Sequence, residues 1–532
     1  MKKSIIALLL ALVLVCCCMA ALADGDNILR VYTDRVYRSF NQLIASDGNF
    51  FDAAGSWSEG LVRLDENNDP QPGLAESYTV SEDGLTYTFT LRDGLVWSNG
   101  TPLTAKDFEF GIIMEIADSD TNGYADVYAP LFKNGTAFMN GECDKSEVGV
   151  KAVDDKTLVL TLANPTPYFD RMLCLSAVFP LNEEFYNACG DQYGTSVDTI
   201  LYCGPFVATE MDLNVGVTLA KNPDYWDAEN VHLDGIEIKV ITDSSAALNA
   251  YEAGEIDRVN LSSTDVLLYM NDPTFGTYSD FRNYYMQFDW TNTRLNLKMR
   301  QALSMAIDRE ELVDYVLMTG AVAAGGVVSQ GITAGTAGEG KTFREVCGAL
   351  SYYDPDMAKQ LWDEGVAEMG GTAPTDLVML VAEGTDFKDM ATYIQEKFRT
   401  VLGIEVEINT LTQKARNEVM KTQNYDMALS AWGADYDDPM TWLELWTSTS
   451  GYRGYYAKPE YCALVDAIRT ETDAAKRLDL CVQAETMLIA QDMVVTGIYD
   501  RGYSYLQKEY VSGIQTHPVG QPNEYKYVVL SK

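Results

Sequence analysis

The chain has 532 residues, too many for one ordinary core, so two or three domains are expected. Its 78 Asp and Glu against 39 Lys and Arg leave a formal charge of −39 at pH 7; phosphate backbones and anionic lipid repel such a chain, which excludes nucleic acid as a partner. With 47% apolar and 22% charged residues the composition is that of a soluble globular protein, and most of the acids read as a solvated surface that keeps an exported chain dispersed.

The N-terminus sets the compartment. MKKSIIALLLALVLVCCCMAALADGDN starts with Lys2 and Lys3, runs apolar from Ile5 and ends with Ala21-Leu22-Ala23 before Asp24. This is a secretory signal cleaved after Ala23. An uncleaved anchor is one alternative, and lipidation at Cys16, Cys17 or Cys18 is another, although Val15 matches poorly the small residue that lipidation wants. All three put the body outside the cytoplasmic membrane, secreted, periplasmic or attached to its outer face. Seven cysteines follow the signal: Cys143, Cys174, Cys189, Cys203, Cys347, Cys462 and Cys481. Cys189 with Cys203, or Cys462 with Cys481, can be bridged, and isolated buried thiols are the alternative.

Strand signals come first. LTYTFTL (85–91) alternates, and EVGVKAVDDKTLVLTL (147–162) reads as two strands joined across Asp154-Asp155. Between them Thr104 and Asp107 form a capping-box-like pair at the start of an apolar-periodic helix, and DGIEIKVI (234–241) is a further alternating strand. From about residue 295 helices take over. KMRQALSMAIDREELVDYVL has helical spacing, with Asp308 as a cap between two helices. DLVMLV (376–381), a helix to about Leu402, Gly403 as its stop and IEVEINTL then make a βαβ unit of a parallel sheet. After one further helix, NYDMALSAWG is the next strand.

Two signals are discounted. GTAGEGKT (335–342) has the spacing of a phosphate-cradling loop, but its Gly/Ala-rich upstream segment is a poor strand and only about two helical turns can follow before Pro355, so it reads as a surface loop. His232 and His517 are the only histidines. Histidine-rich zinc sites and Ser-His-Asp or Cys-His catalysis need clustered imidazoles, so neither chemistry is expected. Both histidines read as incidental surface residues; no metal and no cofactor is expected.

The strand ending at Gly433 delivers SAWGADYDDPMTWLELW (430–446), where Asp435, Asp437, Asp438 and Glu444 lie among Trp432, Trp442 and Trp446 with no His, Lys or Arg. Carboxylates beside large aromatic surfaces are costly to desolvate unless a cation pairs with them. In an open α/β sheet, ligand clefts lie outside the carboxyl ends of the strands, where this stretch falls. Asp437 and Asp438 read as a solvated cap for a helix starting near Met440, and Trp442 and Trp446 as core. Asp435 is read either as a ligand partner or as a turn residue before Pro439.

SEGLVRLDENNDPQPGLAESYTVSEDGLTYTFTLRDGLVWSNGTPLTAKDF, VGVKAVDDKTLVLTLANPTPYF, CGPF, NPDYWD, RQALSMAIDR and AWGADYDDP occur in order. With these segments the chain, from about residue 28 to 530, resembles bacterial extracellular solute-binding proteins of the peptide and oligopeptide class (family 5), partners of ABC importers. The resemblance implies an α/β fold of the two-lobe periplasmic-binding-protein type, with an extra subdomain in the N-terminal lobe. It divides the chain into a signal peptide (1–23), lobe I (24–58), the extra subdomain (59–180), lobe I again (181–284), lobe II (285–497) and a return to lobe I (498–532). It implies that Asp435 meets a peptide's ammonium group and that Trp432, Gly433 and Ala434 lie along the ligand backbone like an added strand. It also implies that Tyr124 touches the ligand from the extra subdomain, core packing being the alternative for that ring. Asp47 and Gly48 match the stretch that pairs with the ligand's other edge, and Tyr284 and Tyr285 sit where the chain crosses into lobe II. The implied partners are a short peptide and the membrane-spanning subunits of an ABC permease, and the protein is expected to be a monomer and no enzyme. A sugar-binding protein of the same fold and a secreted glycosidase are the alternatives. One departure bears on ligand length: where the family can carry a cleft arginine this chain has Leu429, with Lys388 and Lys421 as candidate substitutes.

Overall fold

The computed structural model describes residues 27–45, 48–422, 425–447 and 456–532, with the backbone alone at 385 and 386. The signal segment, Cys16, Cys17 and Cys18 with it, and Asp47 lie outside the described residues.

Strand β1 (Ile28–Thr33) buries Leu29 and Val31 and leads to the largely buried helix Gly48–Trp57. A short hairpin of β2 (Val62–Leu64) and β3 (Pro70–Pro72) then opens a separate antiparallel sheet. In it β4 (Ala75–Val80), β5 (Thr86–Leu91), β6 (Val150–Ala152) and β7 (Thr157–Thr161) pair in the order β4-β5-β7-β6. Alternation does what it should in β5: Tyr87, Phe89 and Leu91 are buried while the threonines between them face outward. The helix Ala105–Glu115 begins where the Asp107 carboxylate accepts from the backbone N–H (2.7 Å) and the hydroxyl (3.1 Å) of Thr104.

The chain then returns through β8 (Phe206–Asp212), β9 (Gly216–Lys221) and β10 (Gly235–Val240), which order as β1-β10-β9-β8 with β1 parallel to β10. A second large sheet gathers β11 (Arg258–Asn260), β12 (Phe275–Phe288), β13 (Val322–Ala323), β14 (Leu377–Ala382), β15 (Val406–Leu411), β16 (Met427–Gly433) and β17 (Val495–Gln507) in the order β11-β17-β12-β16-β14-β15, with β13 beside β17. The apolar run of β14, the helix Thr385–Lys397 and β15 form the parallel βαβ unit, and Gly403, at φ +73°, turns the chain after the helix. β16 adds to β14 in parallel and to β12 in antiparallel fashion. The two long strands, β12 with 14 residues and β17 with 13, are hydrogen-bonded neighbours. Their register slips between Ser279 and Asn283 and again between Tyr284 and Tyr285, and Phe281 in the first slip has φ +49°. Other chain lies directly on β17: a Cβ at Gly497 would stand 1.8 Å from the Gly326 carbonyl oxygen.

Short strands β18 (Val511–Ser512), β19 (Gln515–Thr516), β20 (Asn523–Glu524) and β21 (Val529–Leu530) close the C-terminus. Here one expectation is corrected: His517 is buried, its Nδ1 2.8 Å from Asn68 Oδ1, because the C-terminal return packs against the β2–β3 turn. Burial lowers its pKa. His232 is exposed. All seven described cysteines are free thiols, so neither suggested bridge forms. In 335–342 a single turn (Thr336–Gly338) precedes Thr342, which caps the five-residue helix Phe343–Cys347. Among the described residues no helix is long and apolar enough to cross a membrane.

Candidate functional site

The strand β16 is buried from Met427 to Ser430 and half-buried from Ala431 to Gly433, so its carboxyl end emerges from the core toward the surface. Trp432 lies opposite Asn283 of β12, and Gly433 opposite Arg282. Beyond the strand, the Ala434 N–H donates to the Phe281 carbonyl oxygen (3.3 Å). The Asp435 N–H and the Trp432 indole N–H both donate to the Thr441 hydroxyl, at 3.1 and 3.4 Å. Thr441 is buried in the helix Met440–Leu443, so it fixes the emerging chain from below. Trp442 and Trp446 are fully buried core.

The four carboxylates of this stretch have different fates. Asp435 is exposed. Asp437, Asp438 and Glu444 are bonded to arginines from other parts of the chain. Asp437 accepts from Arg171 (3.2 Å) and from the Thr333 N–H (2.9 Å), and burial pushes its carboxyl up to about 6. Asp438 takes both Nη atoms of Arg477 (2.8 and 2.9 Å) and the Met440 N–H (2.9 Å). Glu444 takes Arg469 (3.2 Å) and the Tyr436 hydroxyl (2.9 Å). Asp437 and Asp438 are therefore not a solvated cap: both are buried, and the arginines offset the desolvation that burial imposes. Asp438 does keep a cap-like bond to Met440.

The wall opposite is aromatic. Tyr124, half-buried, packs edge-on to Phe51 (centroids 5.7 Å) and lies 6.3 Å from Tyr128. Phe51 belongs to the helix that begins at the exposed Gly48. The Tyr124 N–H donates to Glu115 Oε1 (2.9 Å); Glu115 is fully buried, and burial pushes its carboxyl up to about 8. The hydroxyl of Tyr128 is pushed well above its ordinary range by burial first and then by neighbours that include Tyr124, Glu115 and Asp435. The structure thus brings Asp435, the end of β16, Tyr124 and the helix of Gly48 into one neighbourhood.

Tyr284 and Tyr285 lie beneath it. Tyr284 is buried and stacks on Tyr499 (4.4 Å, 9° between planes), while Tyr285 is fully buried edge-on to Trp446. Leu429 is fully buried, and its carbonyl oxygen accepts from Arg416 (2.7 Å). Lys421 pairs with Glu418 (2.9 Å), and Lys388 is exposed. Sequence reasoning missed the arginines at 171, 282, 469 and 477, and nothing local to the motif announces them. Among the described residues no group of three His, Cys, Asp or Glu side chains is placed to hold a metal ion.

Residues 69–454 match the model of the bacterial extracellular solute-binding proteins, family 5. The dipeptide-binding protein DppE of Bacillus subtilis is 30% identical over 504 residues, spanning 94% of this chain and 91% of that one. An oligopeptide ABC transporter substrate-binding domain from Bacillus anthracis superposes with a TM-score of 0.75 at 30% identity, over 96% of this chain and 99% of that one. The Listeria monocytogenes OppA, solved bound to peptide, gives a TM-score of 0.75 at 29% identity, over 96% of this chain and all of that one.

Proposed function

Since this chain belongs to family 5 of the bacterial extracellular solute-binding proteins, we propose that it is the substrate-binding component of an ABC importer and takes a short peptide between its lobes. The observation that carries this reading is the position of an exposed carboxylate at the carboxyl end of β16 in a chain of this family. Asp435 stands exposed just beyond the end of that strand, with Gly433 and Ala434 leading to it. A carboxylate so placed suits a ligand's α-ammonium, and a closing cleft that excludes water strengthens the pair.

In this reading Gly433 and Ala434 present main-chain groups to the peptide backbone, and Trp432 and Tyr124 flank it. Gly48 borders its other edge, with Tyr284 and Tyr285 as the buried support of the strand end. Main-chain recognition tolerates many side chains, which suits a transporter for mixed peptides. The ligand then favours the closed arrangement by its differential affinity for it, and the permease reads that state. We infer binding without catalysis. A glycosidase needs a second working carboxylate, and the nearest candidate, Asp438, is occupied by Arg477 and the Met440 N–H. The protein acts as a monomer outside the membrane, freed by cleavage after Ala23 or held there by lipidation of the signal cysteines.

Thermal melting with a mixture of tri- to pentapeptides tests the reading. A peptide at a hundred times its Kd adds about 2.7 kcal/mol, a shift of several degrees. N-acetylated peptides and the Asp435→Asn variant are expected to lose most of that shift. Equal shifts with free and acetylated peptides would remove Asp435 from its role, and a shift with oligosaccharides alone would make the ligand a sugar.

A further inference from the structure

Among the described residues, one cation at the same site has no hydrogen-bond acceptor of its own. Arg282 lies opposite Gly433, and its Nη2 is 3.3 Å from where a Cβ on Gly433 would stand, so the missing side chain leaves the guanidinium open above the strand end. The side chain is 39% exposed. Its nearest carboxylate is Asp280, with Arg282 Nε 4.0 Å from Oδ2, outside hydrogen-bond range, and Nε is buried with no acceptor among the described residues. Asp280 is already taken on both oxygens by Arg501, through Nε (3.2 Å) and Nη2. Two arginines therefore share one carboxylate, and one positive charge is left over in a chain of net charge −39. The backbone is distorted to hold them: Phe281, between Asp280 and Arg282, sits at φ +49° inside the slip of β12 against β17. Bulges of this kind re-aim side chains at binding sites, and a left-handed conformation is unusual for a phenylalanine.

We propose that Arg282 is the docking point for the terminal carboxylate of the ligand, with Arg501 and Asp280 as its positioning residues. The proposal rests on the peptide reading above and deepens it to a ligand length. Gly433 and Asp435 are two residues apart, at most about 7 Å along the chain. A peptide with its ammonium at Asp435 and its carboxylate at Arg282 therefore spans about two or three residues at ~3.3–3.6 Å each.

Calorimetric titration of the wild type with dialanine, trialanine, their C-terminal amides, their N-acetyl forms and pentaalanine tests it without any variant. The free di- or tripeptide is expected to bind about ten- to a hundredfold more tightly than its amide, as for a charge-assisted hydrogen bond. Pentaalanine is expected to bind more weakly than both free short peptides. Arg282→Gln should reduce the acid-to-amide ratio to about one while keeping the preference for a free amine, and Arg282→Lys should restore part of the ratio. Equal binding of acid and amide by the wild type, tighter binding of pentaalanine, or full discrimination in folded Arg282→Gln would overturn the carboxylate site and leave the peptide reading standing. If no peptide binds the wild type, both fall.

Discussion

Tyr168 and Tyr436 stack face to face, ring centroids 4.3 Å apart and planes 1° from parallel. Tyr168 belongs to the segment of the N-terminal sheet β4–β7, and Tyr436 follows Asp435 directly. The residue read as the ammonium partner is thus one peptide bond away from an aromatic contact between two segments far apart in the chain. Arg477, whose fork holds Asp438, also lies 5.6 Å from the Tyr168 ring centre.

Loss of that stack should reach the ligand. Tyr168→Leu and Tyr436→Leu are each expected to weaken peptide binding, and a double-mutant cycle should return a coupling of about 0.5–1.5 kcal/mol. Titration calorimetry gives the cycle, and small-angle scattering of the unliganded variants should show a larger radius of gyration. Strict additivity of the two substitutions would mean that the rings do not support each other.

Arg171 joins the same two regions of the chain through charge, bonding Asp437 at 3.2 Å, Asp69 at 2.9 Å and the Asn68 carbonyl oxygen at 2.6 Å. Arg171→Ala leaves the buried Asp437 carboxylate with the Thr333 N–H alone. A loss of about 2–3 kcal/mol is expected, toward the low side for a broken buried pair because Arg171 is partly exposed. Arg171→Ala with Asp437→Asn should recover much of it, as measured by urea unfolding at pH 7.

Glu115 predicts a pH dependence. Its carboxyl, raised by burial to about 8, stays protonated in the folded protein across a range where the unfolded chain, near the usual 4.5, has released the proton. The folded state binds more protons in that window, so this group's contribution to stability falls as pH rises from about 4.5 to 8. Glu115→Gln keeps an acceptor for the Tyr124 N–H and removes the titration. It should raise the melting temperature at pH 8 and flatten the slope between pH 5 and 8. An unchanged slope would mean that Glu115 ionises normally.

Gly497 tests the packing on β17. Alanine there drives a methyl group into the Gly326 carbonyl oxygen, and neighbouring backbone is a poor place to relax. Gly497→Ala should cost about 3 kcal/mol, the upper part of the usual overpacking range, in chemical denaturation.

Much of the fold was legible because its signals are local. The alternation of TYTFTL and the run of strand, helix, Gly403 and strand are read directly off neighbouring residues. The placing of AWGAD at a strand end came from the same kind of reading. Partners were not legible. Asp437 looked solvated because no cation is near it in sequence; its arginine is 266 residues away, and that of Asp438 is 39 residues away. His517 looked superficial beside a proline, yet it pairs across 449 residues with Asn68. Arg282 drew no notice because its meaning depends on the opposing Gly433 and on Arg501 having already occupied Asp280.

The paired crossing of β12 and β17 has a mechanical consequence. Two ribbons laced edge to edge flex readily out of their common plane but resist sliding and splaying, since either would break the ladder between them. The slips beside Asn283 and Tyr285 are where that lacing is weakest. Bending of the molecule is therefore expected to centre on those residues.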